Sequence, residues 1–387
     1  MADPCLAAAN RVAGGWRRLG RVFIVATACV SCSDGLRSSA RLQQAIVHGQ
    51  DGRREFYEAG DPLIQQRLAR SSVALIDDRY IEGSPPQLSA STPTWSANHD
   101  VCPDEAFADQ PAAAFCSGVL VDWDLVLTAG HCVRFLALAD FSIAFGYYYK
   151  AAGTLELGSG QVVRPAKIVA EAFDPDGSVP RLDFAWLRLE HPVEARFQPV
   201  PFYSQVPELH AADPVVTIGA PGGVPLKFDD SGTIAEVRDA DDFFIAATDT
   251  SAGWSGGAAY DSNLVLTSIL ARGATDLSES PQGCRVEVHA PADAPVEEQF
   301  TYAARAVQAL CEEEPNRTIC AADCGDICQA AAAPEPSHQV DGGCSFTPRP
   351  DNWQLAAFAL VFASMIARRR WTADPRFSAL EARRLAR

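Results

Sequence analysis

Three short runs in this chain have the residue types for nucleophilic hydrolysis: Thr128-Ala129-Gly130-His131-Cys132, Leu182-Asp183-Phe184-Ala185 and Gly253-Trp254-Ser255-Gly256-Gly257. A serine hydroxyl is a weak nucleophile. An imidazole must take its proton, and a carboxylate must hold that imidazole in one tautomer. Ser255, His131 and Asp183 are the candidates for these roles. The backbone N–H groups of Gly253 and Ser255 are the candidates for an oxyanion hole, the glycine permitting the turn that points them inward. Neither a metal nor a cofactor is expected.

Gly-x-Ser-x-Gly also occurs in esterases, on a strand-turn-helix elbow in a fold where the histidine comes after the serine. Here only His289 and His338 follow Ser255, and Ala258 to Leu270 reads as a turn and a strand. An α/β-hydrolase esterase is therefore the weakest alternative. A catalytically silent module for binding or adhesion at the cell surface is the other. The run around His131 is more specific. Upstream lies Phe115-Cys116-Ser117-Gly118, and between the two cysteines are the strand-like Val119–Val121 and Leu125–Leu127, split by the turn-like Asp122-Trp123-Asp124. A hairpin of that length brings Cys116 and Cys132 together and clamps the loop holding His131. Closing such a loop contributes roughly 3 kcal/mol on the chain-entropy model.

The order His131, Asp183, Ser255 and the flanking residues resemble the trypsin-like serine peptidases. The resemblance covers roughly residues 71–310. It implies an endopeptidase acting on proteins or peptides through an acyl-enzyme. Residues 219–227, 248–253 and 270–276 resemble the bacterial branch near the glutamyl endopeptidases. Asp249, six residues before the nucleophile, stands where trypsin-like enzymes hold the acid that selects Lys or Arg. Thr250 adjoins it. Arg272 and Gly273 fall on the strand expected to line the specificity pocket, and the charge of Arg272 favours an acidic substrate residue. The two cues conflict, unless Asp249 and Arg272 pair with each other; the matching offset tips the expectation towards basic residues. Trp254 departs from the family pattern. Trypsin-like zymogens place an aspartate there to pair with the newly cut amino terminus, and a tryptophan cannot do so.

The expected architecture is all-β, with two packed antiparallel β-barrels over about 71–195 and 208–310 and a C-terminal helix. Strands are expected at Ser71–Ile76, Phe141–Phe145, Gln161–Val163, Phe184–Leu189 and Val215–Ile218, with frequent turn signals between them. Phe300, Ala303, Val307 and Leu310 form a helical stripe in Pro295–Leu310, with Pro295 at a first helical position.

Of the 387 residues 48% are hydrophobic, enough for a sizeable core, and the net charge of −17 argues against a nucleic-acid partner. The 12 cysteines favour an oxidising compartment. Arg11, Arg17, Arg18 and Arg21 precede an apolar run ending at Cys29 and Cys32, so 1–32 reads as a signal peptide or a lipoprotein signal. Residues 33–70 read as a leader or pro-segment. In the Cys-containing tail and Ala/Pro-rich linker, 311–352, the cluster Cys311, Cys320, Cys324 and Cys328 is expected to form disulfides rather than a zinc site. The apolar stretch 353–370 ends in Arg368-Arg369-Arg370 and is followed by a basic tail, 371–387. With Gly343-Cys344 it resembles the myxobacterial C-terminal sorting segment, and it is expected to anchor the chain at a membrane. The chain is expected to be exported to the cell surface, outer membrane or exterior of a Gram-negative bacterium.

Overall fold

The computed structural model describes residues 47–173, 182–273, 276–291, 294–321 and 325–333. The expected signal, the lipidation cysteines, Cys324, Cys344, the apolar stretch and the basic tail lie outside the described residues. Among the described residues, no helix is long and apolar enough to cross a membrane.

The first half is one seven-stranded sheet made of β1 (Ser72–Asp77), β2 (Ala114–Asp122), β3 (Leu125–Thr128), β4 (Phe141–Phe145), β5 (Val162–Val163), β6 (Pro165–Phe173) and β7 (Asp183–Leu189). Its order is β5-β4-β1-β2-β3-β7-β6, and every pairing is antiparallel. The end strands β5 and β6 are not hydrogen-bonded to each other, so this sheet is a half-barrel rather than the expected closed barrel. The second half does close. It contains β8 (Pro214–Gly219), β9 (Lys227–Arg238), β10 (Phe243–Ala247), β11 (Ala258–Tyr260), β12 (Leu266–Arg272) and β13 (Gln299–Tyr302), ordered β11-β8-β9-β10-β13-β12, with β11 also paired to β12. Mostly β structure in one half-barrel and one six-stranded barrel agrees with the expected fold class.

One apolar cluster spans both sheets, joining Val119, Leu127 and Trp186 of the first half to Ile218, Phe228 and Leu266 of the second. Two helices seal it. Helix α1 (Pro62–Arg70) is capped by Asp61, carries Pro62 at its start, and buries Ile64 and Leu68. It falls within the expected leader; that segment packs on the domain because its apolar positions recur at helical spacing. The C-terminal helix, Ala303–Glu313, buries Ala303, Ala306, Val307 and Leu310, and the Trp186 indole donates to its Ala306 carbonyl at 2.6 Å. This helix starts later than expected. Phe300 and Tyr302 alternate with polar neighbours as strand residues, Phe300 stacks on Phe244 at 5.3 Å, and Pro295 precedes that strand.

Candidate active site

The β2–β3 hairpin places the first part of the site. Asp122 pairs with Leu125 across its turn, and Arg317 reaches both Asp122 and Asp124 at 2.9 and 2.7 Å. β3 then leads into a single helical turn, Gly130–Val133, which carries His131. Gly130 is required there, because a Cβ would come within 2.4 Å of the Ala172 carbonyl. The Cys116–Cys132 disulfide ties this turn to β2, as the hairpin spacing predicts.

Asp183 opens β7 and is fully buried. Its Oδ1 accepts the His131 backbone N–H at 3.0 Å, and its Oδ2 lies 2.8 Å from His131 Nδ1. One carboxylate therefore fixes both the helical turn and the imidazole ring's orientation, and its Oδ2, as an acceptor, selects the tautomer with the proton on Nδ1.

Ser255 comes from the turn between β10 and β11. Gly253 has φ of 88°, in the left-handed region, and a Cβ on it would come within 2.4 Å of the Ala220 carbonyl. The turn is pinned by its other amides: Trp254 N–H donates to Ser251 O at 2.9 Å, Gly256 N–H to Leu270 O at 2.8 Å and Gly257 N–H to Trp254 O at 2.7 Å. The N–H groups of Gly253 and Ser255 donate to no protein acceptor among the described residues. His131, Gly253 and Ser255 line one cleft of about 390 Å³. No hydrogen bond joins the Ser255 hydroxyl to His131 among the described residues; such contacts often tighten only when substrate is bound.

Ser117 went unread in the sequence. Its hydroxyl donates to the Gly253 carbonyl at 2.8 Å and accepts from Ala220 N–H at 2.9 Å, and its own N–H donates to the Ser255 carbonyl at 2.8 Å. It thus ties β2 to both ends of the expected oxyanion loop. Asp276 acts on the same loop: its Oδ2 accepts the Ala252 N–H at 2.5 Å, and burial pushes its carboxyl up to about 8.

The expected specificity residues divide. Arg272 and Gly273 line the cleft beside Leu270, Ala271 and Ser251. Asp249 does not line it, which corrects its expected place at the pocket base. Its Oδ1 accepts the His48 N–H at 2.7 Å and its Oδ2 the Gly52 N–H at 2.5 Å, so the segment entering the domain occupies the carboxylate. Burial still pushes this group up to about 6, while those backbone hydrogen bonds pull it down. Thr250 is also outside the lining; it is fully buried, with its hydroxyl 3.3 Å from that of Thr248. Trp254 is a core residue, fully buried in the interior of the second barrel.

Residues 116–267, which include His131, Asp183 and Ser255, match the family model of the trypsin-like peptidase domain. The fold is trypsin-like. No curated protein matches the chain. Among solved structures, the trypsin-like domain is similar to kallikrein-related peptidase 10, with a TM-score of 0.35 and 18% identity over 53% of this chain and 92% of that one. It is also similar to a Glu endopeptidase solved in complex with MPD, with a TM-score of 0.40 and 14% identity over 69% of this chain and 98% of that one. Both likenesses are distant.

Proposed function

We propose that the cleft hydrolyses peptide bonds with Ser255 as nucleophile, His131 as general base and then acid, and Asp183 as the orienting carboxylate. The Ser255 hydroxyl attacks the substrate carbonyl carbon while His131 Nε2 takes its proton, and the carbonyl oxygen gains negative charge. The N–H groups of Gly253 and Ser255 receive that charge. His131 then returns the proton to the leaving amine as the C–N bond breaks. Water, activated by the same imidazole, releases the acyl group from Ser255. The observation that carries this reading is the pairing of His131 Nδ1 with the buried Asp183 at 2.8 Å in the cleft that holds Ser255 and two undonated N–H groups.

The reading extends to an exported enzyme. The bridges Cys102–Cys284, Cys116–Cys132 and Cys311–Cys320 support an oxidising compartment, as does the basic-then-apolar amino-terminal run. With Asp249 engaged by backbone amides, basic specificity loses its main support.

Incubating the purified protein with a peptide library and mapping the cut bonds by mass spectrometry tests the proposal. Defined cleavage is expected. An intact library after prolonged incubation would favour the silent binding module.

A further inference from the structure

The cleft continues past Gly253. Phe115, Leu136, Ala252 and Gly253 line the candidate active site on one side and a second cavity of about 550 Å³ on the other. Segments outside the two sheets build much of its wall. One is helix α2 (Trp95–His99), from the long connection between β1 and β2; the other is a small hairpin pairing Leu277–Glu279 with Arg285–Glu287. The Cys102–Cys284 disulfide fastens the two across a sequence separation of 182, and Cys102 N–H donates to the Arg285 carbonyl at 2.8 Å.

The buried part of the lining is mainly apolar, and Asp77, Arg79, Asn98, His99, Asp140 and Arg285 stand around it. Trp95 and Phe141 are 3% and 1% exposed, and Phe115 meets Phe141 edge to face at 5.6 Å. At the rim Arg79 is matched by Asp77, and Arg285 donates to the His99 carbonyl at 3.4 Å. Among the buried lining residues the one ionisable group is Asp276, 5% exposed, whose Oδ1 has no hydrogen-bond partner. At the lip shared with the first cleft Leu136 is 43% exposed, and the adjacent Phe135, which lines the first cleft, is 80% exposed.

We propose that this second cavity receives a bulky apolar side chain of the substrate, aromatic or long aliphatic, on the leaving-group side of the cut bond. The inference rests on the peptidase reading above. Its direction follows from the walls. Leu270–Gly273 line only the first cleft, so the acyl part of a substrate lies along them. The chain beyond the cut bond leaves past His131, the proton donor to the amine, and over Phe115 and Leu136 into the second cavity. Its size holds one large side chain with its backbone. Its floor of Trp95, Phe141 and alanines rewards apolar contact, and the unpartnered Asp276 Oδ1 offers one hydrogen bond to a polar group of the occupant.

The test uses peptides that share one efficiently accepted acyl portion and vary at the three positions after the cut bond, beside an ester of that acyl portion with no residue beyond it. At one of those positions Phe, Tyr, Trp, Leu or Met should raise kcat/KM about tenfold or more over Ala, Ser or Asp. Leu277→Asp should cut that preference to about threefold or less, as should Leu136→Ser at an exposed position where folding is not at stake. The readout is the ratio of kcat/KM between bulky and small leaving-side residues within each variant. A flat profile from an enzyme that hydrolyses the ester, or an undiminished preference in both variants, would overturn the pocket while leaving the peptidase reading intact. Hydrolysis of neither peptides nor ester would overturn the peptidase reading, and the pocket with it.

Discussion

The first sheet holds His131 and Asp183 through covalent and side-chain ties, whereas the loop 248–255 of the second half is held by hydrogen bonds with residues distant in sequence, Ser117 of the first sheet among them. In the first half a disulfide and one carboxylate fix the imidazole. In the second, Asp276, Ser117 and the segment 48–52 meet the loop, through Ala252 N–H, the Gly253 carbonyl and the Asp249 carboxylate. The contrast follows from the chemistry. Proton transfer needs a particular side chain in a particular tautomer, while an oxyanion hole needs only amide hydrogens aimed at one point. Any residue that holds the backbone can serve the second need, so its supports come from wherever the fold brings them.

The comparison can be broken in order of expected effect. Ser255→Ala, which removes the group both halves serve, should lower kcat by roughly six orders of magnitude in steady-state peptide hydrolysis. Asp183→Asn tests the first half alone and should cost about 10⁴ in kcat, because the amide favours the wrong imidazole tautomer. Gly253→Ala tests the second half. The Cβ meets the Ala220 carbonyl at 2.4 Å, so the amide must turn away and kcat should fall by about 10²–10³ with KM little changed. A loss equal to that of Asp183→Asn would mean that the two halves are not separable in this way.

The smallest effect concerns Asp276. Its folded carboxyl is raised from 3.8 to about 8, so the folded chain keeps a proton that the unfolded chain releases. The contribution of this group to stability is therefore lost as pH rises from 3.8 towards about 8, and is constant above that. Asp276→Asn should flatten this part of the melting-temperature profile, by on the order of a few degrees. An identical profile in the variant would show that the group is not held neutral in the fold.

The same contrast explains what could be read from the sequence. His131, Asp183 and Ser255 each sit inside a short recognisable run, as with Gly253, whose left-handed φ of 88° sets the turn before Ser255. Strands with clear alternation, such as Phe141–Phe145, were equally legible. Closure of the barrels was not, because it depends on which end strands meet. Asp249 was misplaced for a related reason. An offset from the nucleophile gives the position of a backbone, but His48 and Gly52, about 200 residues away, decide what its carboxylate faces. Ser117 and Asp276 carry no local signal, since their partners Gly253 and Ala252 are brought to them by the barrel packing.

The central claim is that Ser255 is an activated nucleophile. Its most direct test is treatment of the folded protein with a serine-directed organophosphonate, followed by intact-mass measurement and peptide mapping. The account predicts one adduct per chain, on Ser255, formed by wild type and absent from Ser255→Ala. Folded wild-type protein that stays unmodified, or is modified at another residue while Ser255 remains free, would contradict it.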